Sequence, residues 1–382
     1  MKVLLVDQIA KVTYKYTFSL AKALQELGID IEVAMDFKQE KENTNFKRFN
    51  LFNTAEKNVS KFNKLKNYIQ SFNKIFSLIE NYKYDVIHLQ WIIFSPVDLM
   101  IIKKLKRKNI KVVMTVHDIL PFNQKFYDYK CYKRIYQLVD EIIVQTDANK
   151  DRFKKEFPKN KHEIAVIPHG HFLDYSKVVT KEKARKALGL SDNEFIYLFF
   201  GQIKKVKGVD VLLTAYGQLL KERPELKNRV KLVLAGKEWK ADYDDYKKII
   251  LEYGLEPFIR QDIKFIPDEE IDNYYGSADV CVLPYRDVYQ SGVLQLTYAH
   301  EKPAIVTDIP AFKEIVNVNN GFICKVNDAE SLKNQMYEAY LRKDELHILG
   351  EVGRKYIEKR YNWGDIAGGV SKIYSIGACS ND

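Results

Sequence analysis

The feature that most constrains the fold is a repeated alternation of short apolar runs with amphipathic helical patterns. Residues 3–6 form an apolar run, and the helical pattern that follows it stops at Gly28. Similar runs recur at residues 31–34, 86–89, 112–116, 142–144 and 165–167. These runs are almost continuously apolar, which is typical of parallel strands buried on both faces. The first half of the chain is therefore predicted to be a doubly wound α/β domain.

The same alternation restarts in the second half of the chain. Strand-like apolar runs occupy residues 195–200, 230–235, 263–266, 280–283 and 304–307. The 382 residues are enough for two α/β domains of ordinary size. We therefore expect one domain at residues 1–178 and a second at residues 179–362. Residues 363–382 are expected to contribute a final helix with no strand after it.

Several functional classes are disfavoured by what the sequence lacks. No apolar run reaches the roughly 18 residues of a membrane-spanning helix, and residues 3–6 are too short an apolar stretch for a secretion signal. The loop at residues 7–11 contains no glycine, so the NAD-binding fingerprint is missing, and the chain has no P-loop motif. Its 4 cysteines have no metal-ligand spacing. We expect a cytoplasmic protein without a metal site.

The net charge of +10 is distributed unevenly. Residues 1–180 carry 31 Lys and Arg against 20 Asp and Glu, whereas the rest of the chain is close to neutral. This asymmetry predicts an anionic partner for the first domain, which is a membrane surface, an acidic acceptor or nucleic acid. No RNA- or DNA-binding motif occurs, so a nucleic-acid partner is not expected.

Residues 46–79 hold much of this positive charge. Basic residues outnumber a single acid, Glu56, and apolar residues recur among them at helical spacing. The basic residues are Lys47, Arg48, Lys57, Lys61, Lys64, Lys66 and Lys74, and the apolar ones are Phe62, Leu65, Ile69, Phe72 and Phe76. A basic amphipathic helix suits an anionic membrane surface. A helix that faces the core and exposes its lysines to solvent explains the pattern equally well.

A lysine-rich loop follows the first strand of the second domain. Gly201 and Gly208 flank it, and it carries Lys204 and Lys207 just before a predicted helix. Ligands of open α/β sheets bind at the carboxyl ends of strands, and ammonium groups beside a helix N-terminus suit a diphosphate. Taken alone, the segment is more typical of a solvated surface loop.

A second loop of the same domain also has the features of an anion site. Residues 284–290 follow the strand-like run at 280–283, and Ser291 with Gly292 opens an apolar helix. Small residues let backbone N–H groups approach an anion, and the helix dipole adds to the attraction. The alternative is an ordinary serine N-cap, which is worth about 1 kcal/mol. Two such loops in one half-chain favour a shared diphosphate site.

The order and spacing of these motifs resemble the GT-B-fold family 4 glycosyltransferases, also called group 1 glycosyltransferases. The resemblance spans nearly the whole chain. It rests on residues 84–91, 115–121, 139–146 and 166–170 in the first half, and on 199–208, 266–285 and 291–307 in the second. It implies an α/β fold of GT-B type, with two Rossmann-like doubly wound domains facing a central cleft. The first would bind the acceptor and the second the nucleotide sugar, and the last helix would return to the first domain.

The resemblance also implies roles for individual residues. Lys207 matches the lysine that contacts the donor diphosphate, and Gln202 replaces the family's usual arginine, with Lys204 nearby as a substitute cation. His117 matches the histidine that reaches the transferred sugar, so the expected catalytic residues are His117, Lys204 and Lys207. The expected donor-binding residues are Gly201, Gln202, Phe265, Ile266, Gln290, Ser291, Gly292, Val293 and Leu294.

Three further polar residues, Gln8, Asp118 and His169, are expected to line the acceptor side of the cleft. A structural role at a strand end is the alternative for His117, Asp118 and His169. The chain also departs from the family pattern, which has two glutamates eight positions apart where Val288 and Leu296 stand here. Recognition of the sugar and of the ribose is therefore left unassigned.

Together these features predict a hexosyltransferase that uses a nucleoside-diphosphate sugar, either UDP- or GDP-linked, as co-substrate and needs no cofactor. The resemblance implies retention at the anomeric carbon. The expected acceptor is a saccharide, in particular a lipid-linked one used in cell-surface polysaccharide synthesis at the inner membrane face. Two competing hypotheses are a GT-B epimerase or phosphorylase, and a sugar-nucleotide-binding protein that is catalytically impaired by the loss of the glutamates.

Overall fold

The computed structural model describes residues 1–36, 44–52, 60–239 and 243–376. The chain divides into two compact units. The first unit comprises Met1–Gly170 together with the chain from Tyr361 onward, and the second comprises His171–Arg360. The domain boundaries expected from the sequence, after residues 178 and 362, lie slightly further along the chain than these.

Seven parallel strands, counted over the described residues, form the sheet of the first unit in the order β3-β2-β1-β4-β5-β6-β7. The strands are β1 Lys2–Asp7, β2 Asp30–Met35, β3 Lys47–Asn50, β4 Val86–Leu89, β5 Lys111–Thr115, β6 Glu141–Val144 and β7 Ile164–Val166. Its helices up to residue 156 are α1 Ala10–Glu26, α2 Lys61–Tyr82, α3 Ser95–Lys106, α4 Asp128–Leu138 and α5 Asp147–Glu156. The apolar runs of the central strands are buried because helices cover both faces of a doubly wound sheet.

The second unit repeats this architecture with six parallel strands among the described residues, in the order β10-β9-β8-β11-β12-β13. The strands are β8 Phe195–Phe200, β9 Val230–Ala235, β10 Ile259–Asp262, β11 Val280–Leu283, β12 Ala304–Thr307 and β13 Gly321–Cys324. The helices are α6 Lys181–Leu188, α7 Val209–Glu222, α8 Tyr243–Glu252, α9 Asp268–Ser277, α10 Gly292–Ala299, α11 Pro310–Lys313, α12 Ala329–Leu341 and α13 Leu346–Arg360. Both units are thus doubly wound α/β sheets, as the sequence predicts.

The last helix, α14 (Trp363–Ser375), belongs to the first unit and packs against α1. Its buried face is formed by Trp363, Ile366, Val370 and Tyr374, which join the core of that unit. The contact is close, since a Cβ atom at Gly170 would lie 2.3 Å from the Trp363 ring. The last described helix therefore packs into the same core as the first strand and the first helix.

One predicted strand is wrong, and three observed strands, β3, β10 and β13, are not predicted from the sequence. The run at residues 263–266 is not a strand, because the sheet is extended by β10 just before it, and Phe265 in the run is 64% exposed. The short strands β3 and β13 were missed. β10 and β3 lie at sheet edges and carry polar residues, so neither gives the apolar run of a strand buried on both faces.

The basic segment at residues 46–79 contains β3 and most of α2, while residues 53–59, including Lys57 and Glu56, lie outside the described residues. One face of α2 is buried in the unit and includes Phe72, Phe76 and Ile79. This face agrees with a core-facing helix. Phe62 nevertheless remains 75% exposed at the start of the helix. No helix within the described ranges has the length and apolar character needed to cross a membrane.

Candidate active site

The order of the second sheet reverses between β8 and β11, and the loops that follow these two strands leave the same edge of the sheet. Such a reversal leaves a crevice at the carboxyl ends of the strands, where ligands bind in open α/β folds. The lysine loop follows β8, and residues 284–291 follow β11. The two loops singled out in the sequence are therefore neighbours at this crevice.

The lysine loop is shaped by a short helical turn at Lys205–Lys207 and by Gly208. Gly208 has a left-handed φ of 65°, and a Cβ atom there would lie 2.0 Å from the carbonyl oxygen of Pro284. Only glycine permits both the backbone conformation and this approach. Gly208 thereby brings the N-terminus of α7 against the loop after β11.

Arg286, which was not among the site residues predicted from the sequence, connects the two loops. Its backbone N–H donates to the carbonyl oxygen of Val206 at 2.8 Å. Its guanidinium group donates to both carboxylate oxygens of Asp210, one of them at 2.9 Å, and to the carbonyl oxygen of Lys205. It also donates to the side chain of Asn327 at 2.7 Å. An arginine just after a strand end, with an acid in the first turn of the neighbouring helix, is the signal that would have identified it.

The loop after β11 ends at the N-terminus of α10. The Oγ atom of Ser291 accepts a hydrogen bond from the backbone N–H of Leu294 at 3.2 Å, so Ser291 is the N-cap. The backbone around Gly292 is confined, because a Cβ atom there would lie 3.3 Å from the Phe172 ring. The N–H groups of the first turn and the positive end of the helix are features of an anion site.

Both lysines of the expected catalytic set lie against aromatic rings. The Nζ atom of Lys207 is 3.5 Å from the centroid of the Tyr285 ring, and the Nζ atom of Lys204 is 6.0 Å from that of Trp239. The Tyr285 ring is buried, which raises the pKa of its hydroxyl group. Trp239 is 47% exposed. The rings hold the two ammonium groups by cation–π attraction.

The remaining donor-binding residues lie in the second unit. Gly201 follows β8 directly, and Gln202 and Gln290 are half-buried. Val293 lies against Gly201, where a Cβ atom would be 3.3 Å from its side chain. Phe265 is exposed and Ile266 is buried, in the loop after β10 rather than on a strand. Val288 and Leu296, which replace the family's glutamates, are half-buried.

The order of the first sheet reverses between β1 and β4, and polar residues follow both strands. The amide nitrogen of Gln8, just after β1, donates to the carbonyl oxygen of Trp91 at 2.8 Å. Trp91 and Gln90 follow β4 and, with His117, line a small cleft of about 100 Å³. Asp118, which also lines the cleft, is exposed.

His117 is packed between aromatic rings in this cleft. Its ring stacks on Trp91 at a centroid distance of 4.4 Å and an interplanar angle of 15°, and Tyr16 approaches it at 5.2 Å. Its Nε2 atom is 3.0 Å from Oε1 of Gln90. Burial, together with the neighbouring His169, lowers the pKa of His117 to about 3, so its ring is neutral at physiological pH.

His169 lies beside the same Tyr16 ring, at a centroid distance of 4.7 Å. Its Nδ1 atom is 2.7 Å from the carbonyl oxygen of Gly170 and is therefore the protonated nitrogen. Burial lowers the pKa of His169 to about 4. The three residues assigned to the acceptor side, Gln8, Asp118 and His169, all follow strands of the first sheet. His169 and His117 both contact the Tyr16 ring.

Within the part of the chain that the structure describes, no cluster of His, Cys, Asp or Glu is arranged to hold a metal ion.

Comparisons with known proteins match both halves of the chain. A family model described as "Glycosyltransferase Family 4" matches residues 15–174, and one described as "Glycosyl transferases group 1" matches residues 180–356. The chain is 25% identical over 251 residues to a D-inositol 3-phosphate glycosyltransferase of Corynebacterium urealyticum, which covers 64% of this chain and 58% of that protein. The same enzyme of Saccharomonospora viridis is 22% identical over 239 residues, covering 62% and 55%. The match thus spans somewhat more than half the length of these relatives.

Solved structures share the fold along almost the whole chain. Sucrose-phosphate synthase from Thermosynechococcus elongatus superposes with a TM-score of 0.80 at 18% identity and covers 100% of both chains. Anabaena HepE in complex with UDP-glucose gives 0.75 at 16% identity, covering 98% of this chain and 100% of that one. WaaG, a glycosyltransferase of lipopolysaccharide biosynthesis, gives 0.70 at 13% identity, covering 98% and 99%. At these identities the likeness is one of fold.

Proposed function

Because the chain belongs to the group 1 glycosyltransferases of the GT-B fold, we propose that it transfers a hexosyl group from a nucleoside-diphosphate sugar to a saccharide acceptor. The main support for this proposal is that two loops with the features of anion sites are bonded to each other at the crevice of the second sheet. Arg286 bonds the loop after β11 to the lysine loop after β8, so two ammonium groups and the N-terminus of α10 belong to one assembly.

The chemistry of the reaction explains why such an assembly is useful. Transfer breaks the bond between the anomeric carbon and the diphosphate, and negative charge accumulates on the diphosphate as it leaves. Lys204, Lys207 and the backbone N–H groups of Gly292 and Val293 would stabilise that charge. Groups held in place before the reaction stabilise a transition state without reorganisation, which is the largest contribution in many enzymes.

We choose a uridine nucleotide as the first donor to test. HepE, which shares the fold, is known in complex with UDP and with UDP-glucose. GDP-sugars are the alternative. With Val288 and Leu296 in place of the family's glutamates, ribose and sugar would be held by other groups, and the half-buried Gln202 and Gln290 of the expected site are polar candidates.

In the first unit we assign His117 to the transferred hexosyl group and the residues around it to the acceptor. A neutral imidazole suits hydrogen bonding to a sugar hydroxyl group, and the low pKa of His117, about 3, keeps it neutral. The ring of Trp91, which stacks on His117, gives the cleft an apolar wall. Retention at the anomeric carbon is proposed by analogy with the family.

The acceptor we favour is a lipid-linked saccharide, reached from an anionic membrane surface. Apolar side chains are exposed on two segments of the first unit: Phe62 and Ile69 on α2 are 75% and 40% exposed, and Phe122 and Phe126 before α4 are 48% and 96% exposed. Lysines accompany both segments, namely Lys64 and Lys66 on the first and Lys125 and Lys130 on the second. Exposed aromatic residues among lysines are typical of proteins that bind an anionic lipid surface.

Contacts within the unit bring these segments to one side. Tyr68 of α2 donates to the carboxylate of Asp98 in the first turn of α3. Ser95 at the start of α3 donates to Asp128, the first residue of α4, at 2.7 Å. α3 and α4 pack together, and Tyr68 in the third turn of α2 is bonded to the first turn of α3, so α2 and α4 are both linked to the start of α3. We name Phe62, Ile69, Phe122 and Phe126 the apolar rim.

Nucleotide binding tests the donor part of the proposal. We expect UDP or GDP to bind with a measurable enthalpy in isothermal titration calorimetry and to raise the melting temperature, and UMP to bind more weakly because it lacks the second phosphate. Transfer is then tested with a panel of UDP- and GDP-sugars and a lipid-linked saccharide, by release of the nucleoside diphosphate. No binding of either diphosphate would overturn the donor site.

The loss of the two glutamates favours one alternative function, a sugar-nucleotide-binding protein without transferase activity. Val288 and Leu296 offer no carboxylate for the sugar or the ribose. The same panel separates the two functions. A protein that binds a nucleotide sugar with a raised melting temperature, but never releases nucleoside diphosphate with any acceptor or with water, has only the binding function.

A further inference from the structure

A chain of buried polar side chains in the first unit connects the C-terminal helix to His117. The hydroxyl group of Tyr374 on α14 is 2.6 Å from Nδ1 of His88, and Nε2 of His88 is 2.8 Å from the Thr115 hydroxyl oxygen. The amide nitrogen of Gln90 is 3.3 Å from the same Nε2 atom, and its Oε1 atom is 3.0 Å from Nε2 of His117. All five residues are at most 5% exposed.

With the Gln90 amide oriented as in the structure, the donors and acceptors of this chain assign its protons. Oε1 of Gln90 is an acceptor only, so Nε2 of His117 must carry the proton of that contact. The amide nitrogen of Gln90 is a donor only, so Nε2 of His88 must be the unprotonated nitrogen and accepts from Gln90 and from the Thr115 hydroxyl group. Nδ1 of His88 then carries the ring proton and donates to Tyr374. Every contact has one donor and one acceptor.

Turning the Gln90 amide around would reverse every step of this chain. Its nitrogen would donate to Nε2 of His117, which would then have to be unprotonated, and its oxygen would accept from Nε2 of His88. The ring proton of His117 would move to Nδ1. The orientation of one amide group and the tautomer of His117 are therefore linked.

We propose that Gln90 is the positioning residue of His117 and fixes its ring in the tautomer with hydrogen on Nε2, so that Nδ1 is the acceptor atom of the ring. Trp91 covers one face of the ring, Tyr16 approaches it edge-on and Gln145 lies beside it, so rotation of the imidazole is restrained and the tautomer decides which atom accepts. The functional consequence rests on the proposed glycosyl transfer. The tautomer with hydrogen on Nε2 leaves Nδ1 able to accept a hydrogen bond from a sugar hydroxyl group, which the tautomer with hydrogen on Nδ1 cannot do.

The tautomer itself is measured without any substrate. Nitrogen-15 NMR distinguishes protonated from unprotonated ring nitrogens, and the spectrum contains only 7 histidines. A His117→Asn variant identifies the His117 signals by their absence. In the wild-type protein at pH 7 we expect a protonated Nε2 and an unprotonated Nδ1 for His117.

Two variants and a control separate positioning from general damage. Gln90→Glu keeps an oxygen acceptor toward His117, so we expect the protonated Nε2 to persist. Gln90→Met removes the acceptor at similar length, so we expect a mixture of tautomers and, in transfer assays, roughly ten-fold lower kcat/KM from loss of the hydrogen bond, carried mainly by kcat. Gln137→Met, on the exposed face of α4, is the matched control and should change neither.

Two outcomes overturn the proposal, and the first needs no variant. A wild-type His117 with hydrogen on Nδ1 contradicts it at once, and so does an unchanged tautomer in Gln90→Met. If instead the tautomer behaves as expected but no nucleotide sugar is ever turned over, Gln90 keeps its positioning role and the proposed transferase function fails.

Discussion

The guanidinium group of Arg286 donates to both carboxylate oxygens of Asp210, so a residue after β11 is bonded to the first turn of the helix that follows β8. The same arginine bonds the carbonyl oxygens of Lys205 and Val206. Arg286 and Asp210 are 76 residues apart in the chain, and their contact holds the two loops together. The relative position of the lysines and the N-terminus of α10 therefore depends on a residue that need not touch the donor.

Removing this bond is expected to weaken nucleotide binding without removing a phosphate contact. Arg286→Met removes the guanidinium bonds to Asp210 and to the carbonyl oxygen of Lys205 but keeps the backbone bond to Val206. The lysine loop is then less ordered before binding, and ordering it reduces the net binding free energy. We expect the Kd for UDP, or for whichever diphosphate binds, to rise about three- to ten-fold by isothermal titration calorimetry. Arg342→Met, which breaks a surface ion pair with Glu345 on the same unit, is the control.

Asp210→Asn tests the same bond from its other end. The amide keeps one acceptor oxygen but loses the charge, so we expect an increase in Kd smaller than that of Arg286→Met. Wild-type affinity in both variants would contradict the idea that Arg286 and Asp210 organise the donor site.

Two lysines of one loop offer a sharper test of the diphosphate site. Lys207→Ala removes an ammonium group that lies over the Tyr285 ring, whereas Lys205→Ala removes an exposed one from the same turn. A charge-assisted hydrogen bond to phosphate contributes roughly 1.5–3 kcal/mol, so we expect the Kd for the diphosphate to rise about 10- to 100-fold in Lys207→Ala and to change little in Lys205→Ala. Equal effects of the two substitutions would mean that the loop acts only through its overall charge.

Membrane binding is expected to depend on the apolar rim rather than on the positive charge alone. Phe126 is 96% exposed, and Phe126→Asn removes its ring without changing the net charge. We expect co-sedimentation with vesicles that contain anionic lipid to fall about five-fold, because the ring no longer enters the interface. Leu251→Asn, at a residue 67% exposed on α8 of the second unit, is the matched control. Binding that is unchanged in Phe126→Asn but lost at high salt would assign the attraction to the lysines alone.

The sequence predicted the fold well because its central strands are buried on both faces. Such strands are continuous apolar runs that cannot be mistaken for amphipathic helices of similar length, and β1, β8 and β9 are clear examples. The edge strands β3 and β10 have solvent on one side and carry lysine, arginine, asparagine or aspartate. Their assignment depends on pairing with a neighbouring strand, which a single stretch of sequence does not reveal.

The candidate site was predicted in part for a related reason. The lysine loop and Ser291 could be identified because strand ends, glycines and helix starts are local signals. Arg286, Gln90 and Trp91 were missed, because their importance lies in bonds to residues distant in the chain, such as Asp210 and His117. Asp210 is brought to Arg286 by the reversal of strand order in the second sheet, and His117 is brought to Gln90 and Trp91 by the pairing of β4 with β5.

The buried histidines of the first unit give it a defined response to acid. Burial lowers the pKa of His88 to about 3, against an ordinary value of 6.5, and His88 is fully buried. Below pH 6.5 the unfolded chain therefore binds a proton at His88 that the folded protein does not bind until about pH 3. The unfolded state is favoured as protons become available, so the free energy of unfolding must fall as the pH falls through this range.

A variant comparison isolates this contribution from those of other titrating groups. His88→Gln cannot take up this proton. Lowering the pH from 7 to 5 should therefore reduce the free energy of unfolding of the wild type by about 2 kcal/mol more than that of the variant. Urea unfolding followed through tryptophan fluorescence measures it, since Trp91 and Trp363 both belong to the first unit. His347→Gln, at an exposed residue of α13 in the second unit, is the control, because the substitution lies outside the unit to which Trp91 and Trp363 belong. A difference that stays constant in His88→Gln would mean that His88 is protonated in the folded protein, which contradicts the proton assignment from Tyr374 to His117.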